Sequence, residues 1–391
     1  MSKQNTKKTE NEENKGRSRR RLKPAHLILG IAAGVVLLLG VFYILNGRGR
    51  SFSEARIISR VEIGSAGAAR VSAFAGGFLR YSRDGISMLT TDGKEKWNIS
   101  YNMNQPRLVI GGDYGAVGDL AGRKVVVFGK SGLCGSYTTT FDIMSLSISG
   151  GGVSAVSLDK GAGSLIQFYE KSGERLDIEM SFELTMSGYP LALALSPDGN
   201  GLAVSFVNSS TGALNTQLAF YNFSVGKSEP DRLIGYFRYE EQLMPQVDYL
   251  SATRVVAVTD TRLEFLSLEQ ENKPTVLKSV TLPAGLSHYQ TGSDHAALIY
   301  PDPATGRQTL SVYKSDGSLC FSRELGGSLL SLALEDAGVL ILTDSGFSLV
   351  NYQGKERFNG SLAHSGQALF LQGSREIIQF DGSHITRYRL R

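Results

Sequence analysis

Leu89–Trp97 reads LTTDGKEKW: an apolar strand end, a few polar residues, a glycine, then a charged strand. The same order returns as FGKSGLCGS from Phe128, YEKSGERLD from Tyr169, FSVGKSEPD from Phe223, YKSDGSLCF from Tyr313 and NYQGKERF from Asn351. Asp-Gly and Ser-Gly pairs supply the positive φ angles that tight hairpins require. The turn glycines are Gly93, Gly132, Gly173, Gly226, Gly317 and Gly354, and the series opens with steps of 39 and 41 residues. The 91-residue gap between Gly226 and Gly317 holds one more unit, LSLEQENKP from Leu266, whose turn falls on Asn272. Four-stranded units at this spacing are the mark of propeller blades.

Outward from these turns the chain is a meander of short apolar runs, among them Val125–Phe128, Leu165–Tyr169, Leu202–Val207 and Phe347–Val350, with no sustained helical periodicity. An earlier hairpin in each unit is plain in FLRYSRDGISML from Phe78 and in ILTDSGFSLV from Ile341. It returns once more in IIQFDGSHITRYRL, Ile377–Leu390, after which only Arg391 follows. The last unit therefore lacks an outer strand, while ARIISRVEI, Ala55–Ile63, is a strand without a unit. Pairing the two removes the unpaired edges of an open ring. The expectation is an all-β, eight-bladed β-propeller, with seven blades as the alternative because the turns at Gly226 and Asn272 fit the pattern least well.

The repeat resembles quinoprotein-like and WD-repeat propellers, and DGKEKW, Asp92–Trp97, is most similar to the quinoprotein type. The other units have no tryptophan at the matching place, so the resemblance covers architecture and not that family's ring of tryptophan contacts. The whole chain is similar to an uncharacterised family of membrane-anchored propellers from Gram-positive bacteria. That resemblance implies a location and carries no activity.

The location rests on Ala25–Leu45, AHLILGIAAGVVLLLGVFYIL, a run without charge. At about 1.5 Å per helical residue it is long enough to cross a bilayer core of about 30 Å. Nine basic residues precede it, crowded toward Lys15–Lys23, against Arg48, Arg50, Arg56 and Arg60 after it, so the tail is expected inside and the bulk of the chain outside. A cleaved signal peptide would have a shorter apolar core and a small-x-small exit, where this chain reads Asn46-Gly47-Arg48. The expected division is a disordered basic tail at 1–24, a signal-anchor helix at 25–45, a linker at 46–54 and the propeller at 55–391. Gly30 and Gly34 form a small-xxx-small pair that would let two such helices approach, although glycine is common in membrane spans in any case.

Charge divides along the same line. The net charge is +4, the first 24 residues carry nine basic and three acidic groups, and the remainder is left at −2. The basic balance thus belongs to the tail, where anionic lipid headgroups account for it, and no nucleic-acid partner is expected.

Familiar chemistry is missing from the pattern. There is no Gly-x-Ser-x-Gly elbow, no phosphate loop and no His-Glu-x-x-His helix, and GKSG at Gly129–Gly132 reads as a hairpin turn. His288, His295, His364 and His384 show no metal-ligand spacing. Cys134 and Cys320, the only cysteines, fall in the second and sixth units, opposite one another in a ring of eight, and are expected as free, buried thiols. No catalytic residue, metal or cofactor is assigned.

The most irregular stretch is Ser224–Gln246, read as a long connection leaving the fourth unit. Its Tyr236, Phe237, Tyr239 and Met244 are the candidate partner-binding residues, because long loops in repeat folds carry function and aromatic residues anchor interfaces. The expected function is a membrane-anchored, extracytoplasmic binding or scaffold module for an envelope protein or a cell-wall glycan, not an enzyme. The alternatives are an enzyme with carboxylates at the central channel, acting on a glycan or small ligand, and a single-pass sensor.

Overall fold

The computed structural model describes residues 34–36 and 51–391, apart from 65–68, 210–211, 225–231, 271–272, 283–284, 303, 362–363 and 365. Gly34–Val36 are helical; the tail, the remainder of the 25–45 run, the linker up to residue 50 and the turns at Gly226 and Asn272 lie outside the described residues. Among the described residues no helix is long and apolar enough to cross a membrane. The chain divides into two units, Met1–Arg50 and Ser51–Arg391.

The second unit is eight four-stranded antiparallel sheets, so the ring has eight blades and not seven. Blade one is built from Arg70–Phe74, Gly77–Tyr81, Gly85–Leu89 and Glu95–Ser100, in that order from the inner strand outward. Each sheet alternates its side chains between two faces, and each face meets a neighbouring blade. The core accordingly forms eight separate apolar clusters, one per junction: Leu79, Met88 and Phe128 join blades one and two, for example, and Phe206, Ile166 and Phe168 join three and four. Gly93, at φ 77°, makes the turn into blade one's outer strand, where a Cβ would also lie 2.9 Å from the Ile63 side chain.

Blade eight is assembled from both ends of this unit. Ala368–Gln372, Glu376–Phe380 and His384–Leu390 supply three strands, and Ala55–Glu62 supplies the outermost. The closing pair runs from Ala55 opposite Leu390 to Glu62 opposite His384, with a register shift between Ile57 and Ser59. The apolar cluster between blades eight and one is the smallest of the eight, holding five buried residues. Polar contacts reinforce it: Arg387 of blade eight reaches Asp92 of blade one at 2.6 Å and Glu376 at 2.9 Å. Just before the closing strand, the Phe52 N–H donates to the Arg357 carbonyl at 2.6 Å and its ring lies 5.1 Å under the Arg357 guanidinium.

Two expectations are corrected. Ser224–Gln246 is not one long connection: Leu233–Glu240 is the outer strand of blade four, pairing Phe237 with Leu218 and Tyr239 with Thr216. The register shift that leaves Ile234 unpaired beside Gly235 interrupts its period of two, yet Phe237 and Tyr239 turn inward while Tyr236, Arg238 and Glu240 turn out. The thiols of Cys134 and Cys320 are free but half-buried rather than buried. In all seven blades with a hairpin into the outer strand the register shifts just after the turn, and in blades two and six the extra residue is the cysteine. At that position each cysteine packs against the edge of a junction cluster with part of its surface left exposed.

Candidate functional site

Antiparallel order sends the connections between blades and the second hairpin of every blade to the same end of the ring. At that end, blade one and the start of blade two enclose a cleft of about 900 Å³. Its floor is built by alternation in Tyr101–Gln105, YNMNQ: Tyr101 and Met103 are buried in the junction while Asn102, Asn104 and Gln105 are exposed. The Tyr101 and Met103 N–H groups donate to the Asp84 and Arg83 carbonyls at 3.0 and 2.9 Å, tying blade one's hairpin tip to the connection. Asp119, buried, accepts the Gln105 N–H at 2.7 Å and fixes the far wall.

Four arginines line this cleft, Arg70, Arg80, Arg83 and Arg107, with one carboxylate, Asp84. Arg80 donates to the Ile63 carbonyl at 3.4 Å, while Arg70, Arg83 and Arg107 stand outside every ion pair among the described residues. The remaining polar groups act as both donors and acceptors: the carboxamides of Asn98, Asn104 and Gln105 and the hydroxyls of Ser82, Ser87 and Ser100. Beneath it the Tyr101 hydroxyl is buried without a hydrogen-bond partner among the described residues, and burial together with Tyr81 and Asp84 raises its pKa. A cleft of this size is within the range of ligand sites. Ala69, Ile86, Pro106 and Leu120 add apolar surface to the lining, and the guanidiniums present rigid forks suited to carboxylate or phosphate oxygens.

A second polar cluster lies on the inner strands of blades five and six. Asp248 accepts from Gln246 Nε2 and from the Tyr289 hydroxyl, both at 3.0 Å. Burial raises the Asp248 pKa, opposed by these two bonds and by the charge of Arg107, which links the cluster to the cleft. The neighbouring His288 has a buried Nε2 without a partner among the described residues, and burial lowers its pKa. Burial also raises Glu264, bonded to Ser279, and Glu335, beside Asp336. These three carboxyls hydrogen-bond to separate partners. Among the described residues no group of three His, Cys, Asp or Glu side chains is placed to hold a metal ion.

The four residues singled out from the sequence do not form one surface. Met244 is fully buried and Tyr239 is 9% exposed, both in the junction of blades four and five, and Phe237 packs against them. Only Tyr236 is exposed, with the Arg238 guanidinium 5.4 Å from its ring centroid. Leu233 and Leu243 are the exposed apolar side chains near it in sequence, and Leu184 and Met186, the latter 80% exposed, stand on the four-residue helix Leu184–Ser187 between blades three and four. Sequence reasoning missed the arginine cleft because its members are spread over Arg70–Arg107 at no motif spacing. The signal was a local one, four arginines in a region of a chain whose propeller carries net negative charge.

Fold and cleft together define an eight-bladed β-propeller with a polar, cationic recess at one end of the ring. The chain belongs to the family described as "Family of unknown function (DUF5711)", whose model matches residues 48–390. No curated protein matches the sequence. Among solved structures, the Dos1 propeller aligns with a TM-score of 0.54 at 14% identity, over 86% of this chain and 95% of that one. Sqt1 of Saccharomyces cerevisiae aligns at 0.52 and 12% identity, over 88% and 99%. BamB from Moraxella catarrhalis aligns at 0.48 and 12% identity, over 86% and 100%. At these identities the likeness is one of fold.

Proposed function

We propose that the protein is a membrane-anchored binding propeller, held by the Ala25–Leu45 helix with its basic tail in the cytoplasm and its ring outside. The ring captures its ligand at the blade-one cleft. The anchor is supported by the uncharged length of that run and by the basic residues before it. The observation that carries the binding reading is the cleft itself. It concentrates four arginines on a rigid wall of a ring unit that is otherwise slightly acidic, and so focuses attraction for an anionic group.

In-cell crosslinking of the full-length chain tests this, comparing wild type with a variant carrying Arg70→Ser, Arg83→Ser and Arg107→Ser. Loss of the captured species in the variant is the expected result. Unchanged capture, or loss caused instead by Leu184→Ser with Met186→Ser, would move the site away from the cleft. Proteolysis of intact cells tests the orientation: the propeller should be cut from outside, and protection would reverse it.

A further inference from the structure

Resting on the cleft as the binding site, we infer that its ligand is an anionic saccharide, a chain of sugars bearing carboxylate or phosphate groups. Two kinds of group share the cleft, and each demands a different feature of the ligand. The guanidiniums of Arg70, Arg83 and Arg107, none of them in an ion pair among the described residues, require anionic oxygens. The carboxamides of Asn98, Asn104 and Gln105 and the Asp84 carboxylate require hydroxyl or N–H donors as well as acceptors. A sugar acid or sugar phosphate offers both on one short repeat. Inorganic anions satisfy only the first requirement, and neutral sugars only the second.

The shape of the lining separates this ligand from a protein partner. Protein hot spots seat large aromatic or aliphatic anchors in apolar pockets, and here Ile86 is buried in the junction below, which leaves Tyr81 as the single aromatic residue of a wall whose other apolar members, Ala69, Pro106 and Leu120, are interspersed with the arginines and carboxamides. The tip of blade one's hairpin is held by backbone bonds from Tyr101 and Met103 and by the Asp84 N–H donating to the Ser82 hydroxyl at 3.2 Å, so the backbone that carries Arg83 and Asp84 is fixed. Part of the ordering cost of binding is thereby met before the ligand arrives.

The test is calorimetric titration of the full-length chain in non-ionic detergent with four probes: oligogalacturonate, phosphomannan, a neutral malto-oligosaccharide and poly-glutamate. Oligogalacturonate, phosphomannan or both are expected to bind, more weakly as salt is added, with the neutral sugar silent. Arg83→Lys with Arg107→Lys, which keeps charge and loses the fork, should weaken binding about tenfold. Asn98→Ala with Asn104→Ala should weaken saccharide binding without affecting any poly-glutamate signal, and melting curves confirm that both variants fold. Binding of poly-glutamate alone, or of the neutral sugar equally well, overturns the inference and leaves the cleft as a site for another ligand. Saccharide binding that ignores both double variants also overturns it, by placing the ligand elsewhere. If no probe binds, the inference fails, and the crosslinking comparison decides separately whether the cleft binds anything.

Discussion

Asp248 shows how one side chain can cost stability inside a well-packed ring. Burial lifts its folded pKa above the value of an unfolded aspartate, so the native state binds more protons than the unfolded state across the interval between the two. Its contribution is therefore most favourable at acid pH and falls as pH rises through the folded pKa. Asp248→Asn keeps an acceptor for Tyr289 and removes the charge. Thermal melts from about pH 4 to pH 8 should show the variant gaining on wild type as pH rises, with the two converging near the ordinary carboxylate range. A variant less stable at pH 8 would mean that the bonds from Gln246 and Tyr289, together with the charge of Arg107, outweigh burial. At the same scale, burial raises both cysteine thiols, with Lys171 opposing it at Cys134, so both should react slowly in the folded protein.

Among the elements, the closely packed outer strands and the closing strand are the sensitive ones. A Cβ on Gly135, in the outer strand of blade two, would meet the Ser172 backbone in the turn of blade three. No side chain can move aside there, so Gly135→Ala should cost about 3 kcal/mol by denaturant unfolding. Blade eight depends on a charged cluster instead. Hydrogen bonds from Arg389 and Arg387 hold the Glu376 carboxyl below its usual range, so the stability it gives is present above the unfolded pKa and is lost as pH falls through the folded one. Arg387→Ala breaks the links to both Asp92 and Glu376 and should cost about 2 kcal/mol at neutral pH. That difference should shrink below about pH 4, as Glu376 protonates in both proteins. An acid-independent difference would assign the loss to packing of the arginine stem.

At the scale of the whole molecule, the ring is closed by a strand taken from the beginning of the unit, so its integrity depends on residues far apart in sequence. The Glu62–His384 end of that pairing joins positions separated by more of the chain than any hairpin in the ring. Removing residues 1–62 should leave the third strand of blade eight with an open edge and strip Phe52 from Arg357. The expected outcome by size-exclusion chromatography is aggregation, with a lower urea midpoint for any monomer. A monomer as stable as the full-length protein would show that three strands suffice for the last blade.

The sequence by itself determined the fold class. Hairpin turns at a spacing near forty, glycines where φ must be positive and strands of period two are local properties, and local properties can be read one unit at a time. The register of blade four's outer strand escaped because the shift at Ile234 and Gly235 breaks the alternation and the outward Tyr236 adds an aromatic to the exposed face. The tertiary structure alone decided which residues share a site. Arg70, Arg83 and Arg107 sit on two different blades, and Asp248 meets Tyr289 across a blade junction. Ring geometry brings them together through the packing of whole sheets, and nothing in the local sequence around any one of them records that encounter.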